Sequence, residues 1–268
     1  MSWLRQISRS DDEVGARNDK EKFMKNNKIL IIACLVLIIA AGVGYWYYNN
    51  KNKNIADQKQ NEKIAFITGF TLLDDEKSLI WSEAVELSAE SRAQFEKKIT
   101  EIKADLAVAK DKEARLADYN NLAIYEKYLG NYRAAYDAYL QSLNLESLAR
   151  VSWQNFADVL LKMKAFKSAE FAYIKAIDLN KYIPESYVKL ANYYQEMGDS
   201  VKVQTTYEMG IETIKESMES DTLIISDYAD WLAREKRYDE AIKFYEQLIV
   251  KQPANKAAIE RKIENIRK

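Results

Sequence analysis

The chain has 268 residues, 48% hydrophobic and 30% charged, with 40 basic and 41 acidic side chains for a net charge of -1. That balance supplies no global field for nucleic acid. The absence of histidine removes His-dependent triads and ligands, and the lone Cys34 allows neither an internal disulfide nor a cysteine metal cluster.

Only 7 Gly and 2 Pro stand among many Ala, Leu, Lys, Glu and Tyr, a composition that predicts an all-α protein. Residues 1–28 are charged and predicted to be disordered, with a short amphipathic start, MSWLRQI, able to touch a membrane. Ile29–Tyr48 contains no charge. As a helix it rises about 30 Å, the thickness of a bilayer core. Tyr45, Trp46, Tyr47 and Tyr48 supply an interfacial aromatic belt. A cleaved signal peptide is the competing reading, but the region before the run is long and no clean Ala-x-Ala closes it. The reading adopted is one transmembrane helix, with the N-terminus inside and the bulk of the chain outside. Ala40 and Gly44 form a small-xxx-small pair that could support a weak homodimer through the span. The absence of an Asn-x-Ser/Thr sequon fits a bacterial chain.

Residues 49–63 read as a polar linker and 64–113 as a membrane-proximal helical segment. Within that segment 64–73 is either packed or interfacial, and Ser78–Leu87 is expected to be a short helix. Ser91 and Gln94 fit a capping box opening a helix to about Lys110. Phe95, Ile99, Ile102 and Leu106 form the apolar stripe of that helix.

From about residue 114 the chain is periodic. Ala135/Tyr139 recurs 34 residues on as Ala169/Tyr173; Tyr207 follows another 34 on, with Val203 in the Ala position, and Ala241/Tyr245 comes after about four inserted residues near 215–220. A fixed period of this length marks a solenoid. Upstream of each pair lies another helix with its own small residue: Ala123, Ala157, Ala191 and Ala229. Gly130 and Gly198 end two of these helices, and Lys164 and Lys236 take the same place in the others. Two helices approach closely only where one presents a side chain as small as Ala, and the ring four residues later fills the groove beside it. Residues 254–268 read as a capping helix with a charged outer face.

The pattern resembles the tetratricopeptide repeat family. The second unit carries it in Trp153, Phe156, Ala157, Phe166, Ala169, Tyr173 and Ala176, the third in Tyr187, Leu190, Ala191, Tyr194, Gly198, Tyr207 and Gly210. The first has Tyr119, Leu122, Ala123, Gly130, Tyr132, Ala135, Tyr139 and Ser142, the fourth Tyr228, Ala229, Tyr238, Ala241, Tyr245 and Pro253. Val203, Ser200 and Leu248 depart from it. The resemblance implies an all-α solenoid of about four helix-turn-helix units over 114–253 whose first helices line a concave surface for protein or peptide partners. By alignment the inward residues are Asn120, Ile124, Tyr128, Gln154, Asp158, Lys162, Val188, Asn192, Gln195, Ser226, Asp230 and Arg234. They form either a peptide groove or ordinary solvated helix faces. Some family members hold a partner's C-terminal carboxylate. Of that pattern only Asn155 matches; Glu185 and Ile124 stand where a lysine and an asparagine would be needed, so no such clamp is expected.

The whole reads as a non-enzymatic, membrane-anchored interaction scaffold without cofactor or metal; an envelope chaperone holding client chains transiently shares every feature. An enzyme would have to work without histidine, catalytic cysteine or a Gly-rich phosphate loop.

Overall fold

A computed structural model describes residues 68–268 apart from 109, 110 and 218. The chain divides into two units, 1–63 and 64–268. The expected tail, span, dimerisation pair and linker all lie outside the described residues. Among the described residues no helix is long and apolar enough to cross a membrane.

Ten α-helices follow one another there: α1 (Ala89–Leu106), α2 (Lys112–Tyr128), α3 (Tyr132–Leu145), α4 (Arg150–Lys162), α5 (Phe166–Leu179), α6 (Pro184–Glu196), α7 (Ser200–Lys215), α8 (Thr222–Arg234), α9 (Tyr238–Lys251) and α10 (Lys256–Arg267). The pairs α2–α3, α4–α5, α6–α7 and α8–α9 are the four repeats. Each turns between its helices in the same way. Gly130, Lys164, Gly198 and Lys236 all adopt left-handed backbone, with φ of 78°, 61°, 73° and 62°. The next residue's amide then reaches back over the helix end: Asn131 to Glu126 O, Ala165 to Leu160 O, Asp199 to Tyr194 O and Arg237 to Leu232 O, at 2.8–3.0 Å. This closure satisfies carbonyls that the helix end would leave bare. It tolerates lysine where glycine would be cheaper, which explains why only two of the four turns show glycine in the sequence.

The small residues occupy the helix crossings. Ala123, Ala135, Ala157, Ala169, Ala191, Ala229 and Ala241 are fully buried, and Tyr139, Tyr173, Tyr207 and Tyr245 are buried beside them. First helices of consecutive repeats touch one another: α2 with α4, α4 with α6 and α6 with α8. Among the described residues no consecutive pair of second helices packs in this way. First helices on the inside and second helices splayed outside make the stack curve. The insertion after the third repeat lengthens α7 to 16 residues, against 14 for α3, α5 and α9. At the far end, a 3-10 turn at Pro253–Asn255 leads into α10, which seals the last repeat with Ile259 and Ile263.

The segment before α1 differs from expectation. Only Glu76–Ser78 forms a turn of 3-10 helix, and 79–88 forms no helix. Its backbone groups pair with the ends of repeat helices: Ile80 N donates to Met163 O, Glu83 N to Gly130 O, and Arg133 N to Trp81 O, each at 2.9 Å. A local helix would forfeit these bonds. Asp74 caps α5, accepting from the Ser168 amide at 2.9 Å and its hydroxyl at 2.7 Å. Phe70 is buried edge-on against Phe156, 5.0 Å between centroids, and Trp153 at 6.0 Å. Residues 70–88 are thus a strap across the first two repeats. Of 64–73, Phe70 is in the core and Leu72 packs against it, while Leu73 is exposed; 64–67 lies outside the described residues. The cap of α1 is Ser88, accepting from Ser91 N at 3.1 Å, not Ser91, and the helix ends at Leu106 rather than near Lys110. Its predicted stripe faces inward, with Ile99 and Ile102 buried and Phe95 and Leu106 packed against the core.

Two glycines with the same backbone meet different surroundings. A Cβ on Gly130 would strike the Glu83 carbonyl oxygen and the Val85 side chain of the strap, whereas one on Gly198 meets open space. We expect Gly198→Ala to lose about 1 kcal/mol of stability in denaturant unfolding, the cost of left-handed backbone with a Cβ. Gly130→Ala loses more and also deprotects the Glu83 amide in hydrogen exchange. Equal losses, with that amide unchanged, would show that the strap is not docked on the turn.

Candidate functional site: the inner face of the repeats

The first helices α2, α4, α6 and α8 carry the predicted site residues, and the structure gives them different surroundings. Asp158, Lys162, Val188 and Asn192 come together on one hollow of about 290 Å³ between α4 and α6, with Lys127, Glu185 and Glu196 at its edges. Tyr128 and Lys162 border a second hollow of about 600 Å³. Its other walls are strap residues 83–87, Phe95 of α1 and Tyr132. Further along, Gln195 accepts a hydrogen bond from the Arg234 guanidinium at 3.0 Å, which ties α6 to α8. Ser226 is half-buried, and Ile124 packs against the core.

Two predicted residues are turned inward between helices. Gln154 is buried, with its carbonyl oxygen taken by Arg150 and Ser186 and its amide donated to Glu185 at 3.1 Å. The Asn120 amide donates to Leu116 O and to Ser142 Oγ at 2.9 Å. Position along the helix placed both on the inner side, but hydrogen-bonding side chains from neighbouring helices claim them.

Asp158 and Asp230 face the groove and also bind the repeats together. Asp158 accepts from the Tyr173 hydroxyl at 2.6 Å and from Lys189 Nζ of the next repeat at 2.8 Å. Asp230 does the same with Tyr245, at 2.5 Å, and Lys262 of α10, at 2.7 Å. In the third repeat the neutral Asn192 takes this position, and Tyr207 turns to Asp227 of the following helix instead. In the first repeat the position is Ile124, and the buried Tyr139 hydroxyl has no hydrogen-bond partner among the described residues.

Burial raises the pKa of these phenols, and the adjacent carboxylates add to the effect at Tyr173, Tyr207 and Tyr245. Tyr132, hydrogen-bonded to Glu83 at 2.7 Å, is pushed up to about 12, chiefly by burial. Lys127 moves the other way. Burial lowers its pKa, and the nearby Lys189 and Lys162 lower it further against the pull of Asp158. Lys127 and strap residues 83–87 were not predicted from sequence. Lys127 is one more lysine in a helix rich in charge, and the strap has no period to betray it. Among the described residues no group of three His, Cys, Asp or Glu side chains is placed to hold a metal ion.

Residues 151–182 match the family model of the tetratricopeptide repeat. That stretch is the second repeat, and the other three share its left-handed turn and the buried alanine of its first helix. The fold is accordingly an all-α, tetratricopeptide-like solenoid. Among solved structures, MamA is 20% identical with a TM-score of 0.46, covering 65% of this chain and 98% of its own. A thermophilic tetratricopeptide repeat protein of Thermus thermophilus is 13% identical with a TM-score of 0.46, covering 66% and 92%. YrrB, described as having an unusual peptide-binding site, is 19% identical with a TM-score of 0.38, covering 64% and 84%. No curated protein sequence matches the chain.

Two outcomes follow from the tyrosines. Tyr139→Phe removes a buried hydroxyl that has no partner, so its stability stays level or rises. Tyr173→Phe removes a charge-assisted bond and loses about 1–3 kcal/mol; unfolding midpoints that fell equally would refute the contrast. In the second, a raised phenol pKa means the folded state keeps its proton longer than the unfolded chain does. The stabilisation is therefore complete below the ordinary value of 10.0 and is lost as pH climbs from there through and beyond 12. Phenolate absorbance should appear late and together with loss of helical circular dichroism. Phenolate forming near the ordinary value in a chain still helical would contradict it.

Proposed function

We propose that this protein is a non-enzymatic, membrane-anchored scaffold that binds protein or peptide partners along the inner face of its tetratricopeptide-like repeats. The observation that carries the reading is the pair of hollows on the first helices, where Lys162 and Asn192 are exposed and Val188, packed on one side against the core, stays partly open. A mixed lining of cations, amides and apolar groups suits a polypeptide segment, which offers backbone polar groups and side chains together. Anchoring is supported by the uncharged run Ile29–Tyr48, long enough for one span. The lysines at 20, 22, 25 and 28 close to its start favour the N-terminus inside, with the repeats on the outer side.

The test uses the full-length chain in its membrane. A photo-crosslinking residue at Val188 captures a partner in stoichiometric yield; the same residue at the exposed Asp178 of the outer helix α5 does not. Asn192→Arg reduces the first product several-fold while leaving the helical spectrum unchanged. Equal capture at both positions, or capture indifferent to Asn192→Arg, would sink the groove. A periplasmic-type reporter fused at the C-terminus is expected to be active; an inactive one reverses the orientation.

A further inference from the structure

Lys127 and Lys162 are the two residues common to both hollows of the inner face. Among the described residues neither has a carboxylate within ion-pair distance, and the oxygens of the nearby Asp158 are already held by Tyr173 and Lys189. Lys127 is half-buried, its ammonium partly stripped of water beside two other cations. A partly buried charge without a counter-ion is costly, and an anion arriving with a ligand removes that cost. The larger hollow beside the two lysines is apolar on its walls. Val85, Leu87 and Phe95 are only partly covered, and the Tyr128 ring, 47% exposed, lies 5.5 Å from that of Phe95. Glu83 there is occupied by the Tyr132 hydroxyl, and Glu86 is exposed, where water screens it.

We propose that the hollow between the strap, α1 and the end of α2 binds a segment of a partner protein carrying an acidic side chain next to a large apolar one. The carboxylate meets Lys127 and Lys162; the apolar group enters the space walled by Val85, Leu87, Phe95 and Tyr128. The proposal rests on the reading of the inner face as a peptide groove and names the chemistry of one part of it. The site continues into the smaller hollow past the shared lysines, which suits a chain segment rather than a compact small molecule. It is separate from the C-terminal carboxylate pattern weighed from sequence. Lys127 and Lys162 lie one and two helical turns beyond Ile124 and Asn155, so an internal Asp or Glu can reach them with no free chain end. The site is also incomplete without the strap, which supplies the wall opposite Tyr128.

The experiment measures binding of full-length protein in mild detergent to an array of short peptides in matched triplets, with Glu, Gln or Lys beside the same Leu. Glu peptides are expected to bind about tenfold more tightly than their Gln counterparts, the size of one charge-assisted contact. K127M/K162M brings the Glu peptides down to the level of the Gln peptides and leaves the latter unchanged. Equal binding of Glu and Gln peptides, or a preference surviving in K127M/K162M, overturns this site while leaving the groove standing. No binding by any triplet overturns the groove itself. Should the double variant fail to fold, NMR of the native protein decides: the Lys127 ammonium titrates at higher pH with a Glu peptide bound, and an unchanged titration refutes the contact.

Discussion

Close approach at the helix crossings is the constraint on which this molecule is built. Seven alanines of the repeat helices have no exposed surface, and three of them, Ala135, Ala169 and Ala241, are followed four residues on by a buried tyrosine. An added methylene at such a point typically costs about 1–3 kcal/mol, because neighbours must leave their rotamers. The third repeat shows how the constraint bends. Val203 occupies the place of an alanine and is still buried, while Gly210 further along the same helix lets the Tyr187 ring and Ile224 come closer than any Cβ would permit. The side chain is larger than alanine at one point of this helix and absent at another.

Polar contacts add a second layer that alanine packing alone lacks, namely register. A smooth apolar interface lets one repeat slide on the next. The carboxylates Asp158 and Asp230 each hold a tyrosine of their own repeat and a lysine of the following element, and Glu170 likewise receives the Tyr194 hydroxyl at 2.7 Å and Lys202 at 2.9 Å. Such bonds are directional and partly shielded from water, so they fix the rotation of one helical pair on the next more than they add to stability. They also divide the inner face. Where a carboxylate is held this way, little of it is left for a partner; where the ladder is interrupted, as at Asn192, the groove keeps an exposed amide.

The solenoid was legible because its cause is periodic. Alanine, ring and turn recur at 34 residues, and the structure places helices, turns and buried rings where that period puts them. The turn lysines Lys164 and Lys236 could be aligned with Gly130 and Gly198 by position even though their chemistry gives no hint of left-handed backbone. Residues 78–87 were misread because helix propensity is local, whereas the partners of Ile80, Trp81 and Glu83 lie in the turns of the first two repeats, far along the chain. The cap of α1 slipped by three residues because both Ser88 and Ser91 satisfy the same short pattern. Periodicity reports which side of a helix faces inward. It does not report whether a neighbour such as Glu185 has already taken the amide of Gln154.

The strap makes the two ends of the stack chemically unlike. At the C-terminal end α10 covers the last repeat with two isoleucines and presents charge outward, as a simple lid does. At the other end the chain passes over the turns of two repeats before entering α1, and it does so with backbone hydrogen bonds as well as the Phe70 ring. A repeat turn has little of its own to vary, since the left-handed residue and the closing amide are required in all four. A segment laid across it brings side chains free of that requirement. Val85 and Leu87 are such side chains, and they stand beside Tyr128 and Lys127 at the mouth of the groove. Selectivity in a molecule of repeated parts has to come from whatever breaks the repetition, and the strap is one such break.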